Sequence, residues 1–408
     1  MDTAVAVTGP ILERLGDPDR DWLRGLLEEL EAIHRPSASA GERAAAEWLV
    51  ARFEELGAEA RIEVEPAHGT YWWPLGIGAA AGALAGLAAL RGRRLLGAGL
   101  GAAATSAVAA DFPPHRRPLR SLLRSRDTYN VVCELGPAEA ERTVVMVAHH
   151  DAPHSGLVFH PAIPETIGKR FPLLFERLDT SPPLMAPVLA GPLLATLGAV
   201  SGSRTLARLG VLFGTGSALA MADIGSRDAV PGANDNGTAV VALLALARRF
   251  LEEPPEQLRV ILLSTGSEES FSEGMKAFGE RHFPDLPRES TFFLCLEALG
   301  APHLLVLRGE GFLRMREYPA PMKDLIAESA EQEGVHLRRG LRLTYATDGL
   351  IPLRAGYPTA SICSVDEYML PSNYHSPTDT PDRVDYECVA QGVRMVHAAT
   401  RRLAEWDA

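Results

Sequence analysis

The sequence is short of cysteine, of basic stretches and of an export signal, and each shortage excludes a class of protein. Four cysteines occur among 408 residues with no close pair, so buried, reduced thiols are expected rather than disulfides. The net charge is −12, and no Lys/Arg-rich helix with interleaved aromatic residues occurs; this argues against nucleic acid as a partner. The first 70 residues have no basic segment followed by an apolar core, so no cleavable export signal is expected there.

The remaining composition, with 46% hydrophobic and 23% charged residues, is that of a folded protein with ample core. The length indicates one large α/β domain with insertions, or two domains. Residue periodicity predicts helices at 18–34, 41–57 (ending at Gly57), 238–250, 273–282, 321–334 and 384–406. Strands are predicted at 61–64, 129–135, 143–148, 258–264, 291–296, 304–307 and 359–363. Strands that alternate with helices predict an α/β sheet covered on both faces.

Two segments, residues 72–110 and 184–222, interrupt this alternation. Each holds two charge-free apolar runs separated by a short segment that contains arginines. The runs have roughly 14–19 residues, at or below the ~17–25 needed to span a bilayer. Glycines recur every four residues, a spacing that lets helices pack closely within lipid: Gly78, Gly82 and Gly86, then Gly97 and Gly101, then Gly210 and Gly214.

These segments have two interpretations, membrane-inserted hairpins or soluble hairpins docked together. We favour membrane association, because four charge-free runs in two paired insertions exceed what a soluble cover usually needs. Arginines lie at the hairpin tips and also after the first hairpin, so the positive-inside rule gives conflicting orientations: Arg91, Arg93, Arg94, Arg204 and Arg208, then Arg116, Arg117, Arg120, Arg124 and Arg126. An unsignalled N-terminal domain is not usually translocated, so the cytoplasmic face is expected for the main domain.

Seven acidic and imidazole side chains follow apolar runs or open loops: His149, Asp151, Asp235, Glu268, Glu269, Glu297 and His375. The carboxyl ends of strands in an open α/β sheet are where such proteins build their sites. Two imidazoles with several carboxylates suit zinc or a similar divalent metal. Taken singly, each has an ordinary explanation: a lone histidine can be structural, Asp235 can cap a helix, and adjacent glutamates are usually solvated.

Taken together, these side chains meet the requirement of a two-metal site. Two divalent ions about 3.5–4 Å apart need a shared carboxylate, further ligands on each ion and a base. Asp235, in the turn of PGANDNG, is the candidate for the shared carboxylate. His149 and Glu297 would complete one ion, and Glu269 and His375 the other.

Two further residues have predicted roles beside the ions. Glu268 is left as the general acid/base, close to the reacting water without binding metal. Asp151, two residues after His149, is placed to accept a hydrogen bond from the far ring nitrogen of that histidine and fix its tautomer.

In this order and context the set resembles the co-catalytic dizinc aminopeptidases, a family that also contains glutamate carboxypeptidases, the transferrin receptor ectodomain and glutaminyl cyclases. The shared motifs are His-x-Asp after an apolar strand, a Gly-Ala-x-Asp-Asn turn, a Glu-Glu pair and a Tyr-His-x-Pro-x-Asp-Thr loop. The likeness covers roughly residues 18–68, 128–153 and 226–406. It implies the residue roles given above and a three-layer α/β/α sandwich with a mixed central sheet.

The resemblance implies a discontinuous peptidase domain with two apolar helical-hairpin insertions. The domain would comprise residues 1–68, 128–153 and 226–408, and the insertions residues 69–127 and 154–225. Glu297 is a departure, since most relatives carry Asp there. Asp348 resembles an aspartate of relatives and is expected to line the pocket. Tyr374 is a candidate for oxyanion stabilisation or for packing.

The expected function is that of a metal-dependent exopeptidase, an aminopeptidase acting on peptides with a free N-terminus and using two Zn²⁺ per chain. One alternative is glutaminyl cyclisation at a single-metal site, against which the full two-metal set argues. Another is a catalytically silent membrane interaction protein, as transferrin receptors are in this family. Such proteins typically lose ligands, and none is missing here.

Overall fold

The computed structural model describes residues 17–112, 117–171, 179–338 and 340–406. The predicted domain ends at residues 1 and 408, and Arg116 of the arginine group, lie outside this description. Ten strands are described, numbered in chain order: β1 Ala60–Ala67, β2 Arg126–Leu135, β3 Arg142–His149, β4 Leu258–Thr265, β5 Thr291–Glu297, β6 His303–Val306, β7 Gly309–Glu310, β8 Arg316–Glu317, β9 Arg342–Leu343 and β10 Thr359–Val365.

Seven of these strands form one mixed sheet in the order β1-β2-β4-β3-β5-β10-β6. The central strand β3 runs parallel to β4 and β5, and β5 runs parallel to β10. The outer pairs β1–β2, β2–β4 and β10–β6 are antiparallel. The predicted mixed central sheet is therefore confirmed. The short strands β7, β8 and β9 form a separate small sheet that the sequence did not predict.

Twelve α-helices are described, again in chain order: α1 Asp17–Glu31, α2 Ala40–Leu56, α3 Trp72–Leu90, α4 Arg94–Asp111, α5 Ala162–Arg170, α6 Ala186–Ser201, α7 Arg204–Gly225, α8 Thr238–Glu252, α9 Glu273–His282, α10 Ala320–Gln332, α11 Leu350–Ala355 and α12 Tyr386–Ala404. The predicted end of the second helix is confirmed, since Gly57 follows it in a left-handed conformation, which glycine adopts at little cost. The short helices α5 and α11 were not predicted.

Apolar side chains on both faces of the sheet produce the three layers. On one face, Val144 and Met146 of β3 join a core formed with α1, α2, α8, α10 and α12. On the other face, Val145 and Val147 pack with Met275 and Phe278 of α9. Side chains alternate across a strand, so a strand buried on both faces is a continuous apolar run. The four cysteines are free and buried, as predicted.

The two apolar insertions come together as one bundle of α3, α4, α6 and α7. Glycines allow close approach: a Cβ at Gly82 would lie 2.7 Å from the Cα of Pro192. By length and composition, α3 (19 residues) and α7 (22 residues) are long and apolar enough to cross a membrane, whereas α6 is a shorter apolar helix. The outer surface of the bundle is apolar, with exposed Leu84 and Leu219 among others. A large exposed apolar surface marks an interaction with membrane or protein.

Substituting Gly214 of α7 with valine is expected to destabilise the bundle. A Cβ at this position would lie 2.7 Å from the carbonyl oxygen of Ala79 and 2.8 Å from the nitrogen of Ala83. Overpacking of this kind costs about 1–3 kcal/mol. The matched control is Gly99→Val in α4, where an added Cβ meets no heavy atom within 4 Å. Thermal melting of the full-length chain should separate the two variants, and equal melting temperatures would contradict this packing.

Candidate metal centre

The residues singled out in the sequence converge at the carboxyl edge of the parallel strands. His149 and Glu297 are the last residues of β3 and β5, which are adjacent in the sheet. The other members are held by connections: Asp235 precedes α8, Glu268 and Glu269 lie between β4 and α9, and His375 precedes α12. This edge is where a strand order of this type places a ligand site.

Asp235 lies between the two imidazoles, with one carboxylate oxygen facing each. Its Oδ1 is 3.5 Å from Nε2 of His149, and its Oδ2 is 3.4 Å from Nε2 of His375. A second carboxylate accompanies each imidazole. Oε1 of Glu297 lies 3.2 Å from Nε2 of His149, and Oε2 of Glu269 lies 3.4 Å from Nε2 of His375.

These separations fit two neighbouring metal shells that have Asp235 in common. Zinc binds nitrogen and oxygen at about 2.0–2.2 Å, so two ligand atoms on one tetrahedral zinc lie about 3.4 Å apart. The four imidazole–carboxylate distances lie between 3.2 and 3.5 Å. They exceed the ~2.7–2.9 Å of a charge-assisted hydrogen bond. In addition, His149, Asp235 and Glu269 offer ligand atoms that all lie within 4.8 Å of one another. The donor set therefore fits divalent metal such as zinc.

The electrostatics of the protein alone also favour a bound cation. Burial raises the pKa of Glu297 to about 7, although His149 opposes the shift. Burial also raises the pKa of Glu268 and of Glu269 well above the usual range, and neighbouring carboxylates add to both shifts. A buried carboxylate is costly unless a cation or a proton compensates its charge. Divalent cations here would let these groups ionise.

Asp151 supports two parts of the site at once. Its backbone oxygen and its Oδ1 lie 3.1 and 3.3 Å from Nδ1 of His149, as expected for a residue that orients a ligand histidine. Its carboxylate also accepts hydrogen bonds from Ser37 Oγ (2.6 Å) and from the backbone N–H groups of Glu268 (3.0 Å) and Glu269 (3.1 Å). Asp151 thus ties the His149 strand end to the Glu-Glu loop.

Sequence reasoning missed Arg35, a buried residue that connects two loops of the site. Its guanidinium donates to the carbonyls of His150 (2.8 Å), Pro231 (2.6 Å) and Gly232 (2.7 Å). It therefore fixes the segment after β3 against the turn that carries Asp235. A single arginine after a helix has no local pattern that distinguishes it from a surface residue.

Asp379 and Glu42 are buried acceptors with the same supporting function. Asp379 accepts from the backbone N–H groups of Asn234 (2.8 Å) and Asp235 (3.0 Å). Glu42 accepts from the backbone N–H and the hydroxyl of Ser267, next to the Glu-Glu pair. Asp379 was visible within the final loop motif, but its partners were not. Glu42 lies in an ordinary amphipathic helix and gave no signal.

Two adjoining cavities open on the site. The larger has a volume of ≈ 430 Å³, and its lining includes Asp235, Glu297 and Tyr374. The smaller, of ≈ 300 Å³, shares Tyr374 with it. Tyr374 therefore lines the pocket, where its ring lies 3.9 Å from that of His375 between centroids. Asp348 is fully buried and accepts a hydrogen bond from the Thr265 hydroxyl; its contact with substrate stays a prediction.

The raised pKa values predict a pH dependence of stability that metal removes. Burial raises the pKa of Glu297 and of Asp379 to about 7 each. In the folded chain these groups bind protons that the unfolded chain does not hold at neutral pH, so folding becomes more favourable as the pH falls through 7. Burial lowers the pKa of His375 to about 4; its opposing effect begins only below its ordinary pKa of about 6.5.

The metal-free protein is therefore expected to melt at a higher temperature at about pH 6.5 than at about pH 8. An unfolding entropy of ~2.1 cal/mol/K per residue over 408 residues makes each kcal/mol of stability worth about 1 °C in the melting temperature. With zinc added, this difference should shrink, because bound cations keep the carboxylates ionised at both values. Thermal melting with and without a chelator measures both effects. A metal-free protein that is more stable at the higher pH would contradict the electrostatic account.

Comparisons with known proteins agree with this geometry. Residues 217–400 match the sequence model of Peptidase family M28, a segment that holds Asp235, Glu268, Glu269, Glu297 and His375. No curated protein matches the chain in sequence. A Zn-dependent exopeptidase from Parabacteroides distasonis has a similar fold, with a TM-score of 0.54 at 13% identity over 93% of this chain and 96% of that one.

Two further solved structures have the same fold. A glutaminyl cyclase from Bacteroides thetaiotaomicron superposes with a TM-score of 0.55 at 14% identity, over 94% of this chain and 97% of that one. An aminopeptidase from Aneurinibacillus sp. gives a TM-score of 0.55 at 12% identity, over 94% of this chain and 93% of that one. The chain therefore contains a segment similar to Peptidase family M28 and shares the fold of these three solved structures.

Proposed function

We propose that this metallopeptidase is an aminopeptidase that uses two zinc ions and a glutamate base to release N-terminal residues from peptides. The observation that carries the proposal is the position of Asp235, whose two carboxylate oxygens lie 3.5 and 3.4 Å from the Nε2 atoms of two different histidines. A carboxylate in this position can be shared by two cations. The match of residues 217–400 to Peptidase family M28 and the fold support the coarser assignment to metal-dependent exopeptidases.

The distances support two ligand sets. His149, Glu297 and Asp235 would hold one ion, and His375, Glu269 and Asp235 the other. When bound, two such ions supply Lewis-acid polarisation of a carbonyl and a water of lowered pKa. The protein supplies the arrangement: Asp151, Arg35 and Asp379 fix the loops so that the ligand atoms face one another before substrate arrives.

Glu268 is the proposed proton carrier. Its Oε2 lies 4.0 Å from Nε2 of His149, so it adjoins the ligands without being among the closest contacts. Burial raises the pKa of Glu268 well above the usual range, with Glu269 and Asp348 adding to the shift. A base works best when its pKa is near the operating pH. Glu268 would take a proton from the attacking water and deliver it to the nitrogen of the leaving amine.

We further propose that the sandwich, residues 1–68, 128–153 and 226–408, is the catalytic domain, and that the insertions, residues 69–127 and 154–225, anchor it at a membrane. The apolar outer surface of the bundle and the lengths of α3 and α7 support this arrangement. The cytoplasmic face is the proposed location of the catalytic domain. Extraction of the native protein by detergent but not by alkaline carbonate would support anchoring.

The test of the enzymatic proposal is a screen of aminoacyl arylamides with the full-length protein. Hydrolysis should disappear with a chelator, return with zinc, and fail on the same arylamides when the N-terminus is acetylated. Cleavage that does not depend on a free amino group would refute the aminopeptidase proposal while leaving a metal-dependent hydrolase. An absence of hydrolysis in metal-loaded protein would refute both.

Glutaminyl cyclase activity is the rival proposal, because a glutaminyl cyclase shares the fold as closely as the aminopeptidase does. The two proposals predict different metal contents and products. A cyclase with one zinc would convert N-terminal glutamine to a cyclic product without cleaving arylamides. Four candidate ligands arranged around Asp235, namely His149, Glu297, His375 and Glu269, favour the two-metal alternative.

A further inference from the structure

The smaller of the two cavities connects the catalytic residues to the apolar bundle. Glu268, Glu269 and His375 lie at one end of its lining. At the other end the wall is formed by α6 and by one face of α7, including Met221 and Ile224, which are buried at 5% and 1% exposure. The metal centre therefore opens on one side into an apolar space between the two parts of the molecule.

This cavity also reaches the outer surface of the bundle. Gly216 and Ala220 are one helical turn apart on α7 and both line the cavity. Gly216 is exposed, and an added Cβ there would meet no heavy atom within 4 Å. Leu184 and Val158 line the cavity as well and are 43% and 40% exposed. The opening is thus bordered by apolar side chains and adjoins a bundle whose exterior is itself apolar.

The volume and lining of the cavity indicate what occupies it. An apolar cavity of about 150 Å³ is enough to bind benzene, and this one has ≈ 300 Å³. It can therefore accommodate more than a single aromatic ring. Its aromatic and aliphatic walls, which include Phe271 and Phe312 together with residues of α6 and α7, offer an alkyl chain dispersion contacts and removal from water.

From this geometry we infer that the enzyme takes amphipathic substrates, in which the amide bond at the metal centre carries a long alkyl chain that lies in the cavity between the centre and α7. The inference rests on the proposed function and adds the substrate class to it. We assign the alkyl chain to the substrate itself because the cavity shares Glu268, Glu269 and His375 with the metal centre. A molecule whose amide lies at the candidate ligands would therefore have its apolar part next to the cavity.

The test is a chain-length series on the full-length, zinc-loaded protein. One series consists of 2-aminoalkanoyl arylamides whose side chain grows from methyl to octyl; the other consists of alanyl n-alkylamides over the same range. In at least one series, kcat/KM should rise about threefold to fourfold per methylene, which corresponds to about 0.8 kcal/mol per buried CH₂. The rise should stop when the chain outgrows the cavity. All concentrations stay below those at which the substrates aggregate.

A pair of variants tests where the alkyl chain of the substrate binds. Gly216→Phe places a ring where the cavity meets the surface and should reduce the ratio of long-chain to short-chain kcat/KM to near one. Gly99→Phe is the matched control, a helical glycine of the same bundle with open space at its Cβ and no part in the cavity. It should keep the wild-type ratio. Circular dichroism and melting of both variants check that the fold is retained.

The outcomes separate this inference from the proposed function. Short alanyl arylamides that are hydrolysed, with no dependence on chain length in either series, would overturn the inference and leave the aminopeptidase proposal standing. A dependence on chain length that Gly216→Phe leaves unchanged would also overturn it, since the chain would then lie elsewhere. Failure of every amide, short ones included, would be a failure of the proposed function.

Discussion

Glu268→Gln is expected to lower kcat by about 10²–10⁴, the usual contribution of general acid–base catalysis, while zinc content stays at the wild-type value. Glutamine keeps the size of the side chain but cannot accept a proton at neutral pH. The side chain lies 4.0 Å from His149 Nε2, whereas the nearest imidazole–carboxylate contacts of the site are 3.2–3.5 Å. The substitution should therefore remove the base and leave the ligand shells intact.

The neighbouring glutamate provides the matched control. Glu269→Gln is the same chemical change one residue along the chain, but Glu269 Oε2 lies 3.4 Å from Nε2 of His375. This variant should lose zinc as well as activity. Elemental analysis and kcat measured on both variants distinguish the two roles. An unchanged rate in Glu268→Gln, or the loss of zinc from it, would refute its assignment as the base.

Asp235→Ala is expected to empty both metal positions. Its two oxygens face two different histidines, so one substitution removes a ligand from each shell. The loss of zinc affinity should exceed the roughly 10–100-fold that follows from removing an outer partner of a metal ligand. Activity should fall to the background rate, and zinc content to near none.

Two further variants provide comparisons for the zinc content of Asp235→Ala. His375→Ala removes a ligand from one shell only and should lower the zinc content by about one ion per chain. Asp379→Ala removes the acceptor for the backbone N–H groups of Asn234 and Asp235 and should weaken zinc binding by about 10–100-fold. Zinc titrations followed by elemental analysis rank the three variants by the amount of zinc that each retains. If Asp235→Ala retained as much zinc as His375→Ala, the shared position of Asp235 would be refuted.

Much of the fold could be predicted from the sequence because its strands are apolar on both faces. The segment 143–148 has no polar interruption, and in the structure β3 is parallel to both of its neighbours with a core on either side. The three short strands β7, β8 and β9 could not be predicted in this way, because two-residue strands have no periodicity. Their pairing depends on chain segments that tertiary contacts bring together.

The candidate ligands could be identified because each follows a strand or sits in a loop with a distinctive motif. The supporting residues could not. Arg35 and Glu42 act through backbone carbonyls and N–H groups that lie far along the chain, and no sequence pattern encodes those partners. The cavity toward α7 was also beyond prediction, since it forms only where two insertions meet the catalytic residues.

The insertions were only partly predictable. Four apolar runs indicated four helices, and four are described, but only α3 and α7 combine the length and composition of a membrane span. The glycine spacing was more informative, because Gly82 and Gly214 approach neighbouring backbones too closely for a side chain. Small residues predict close helix packing in lipid and in water alike, so the spacing identifies the bundle and not its surroundings.

The shared carboxylate of Asp235 is the central claim, and the zinc content of the active enzyme tests it most directly. Elemental analysis of full-length protein, titrated with zinc to constant arylamidase activity, should give two zinc ions per chain. Full activity with a single zinc ion, or with none, would contradict the account.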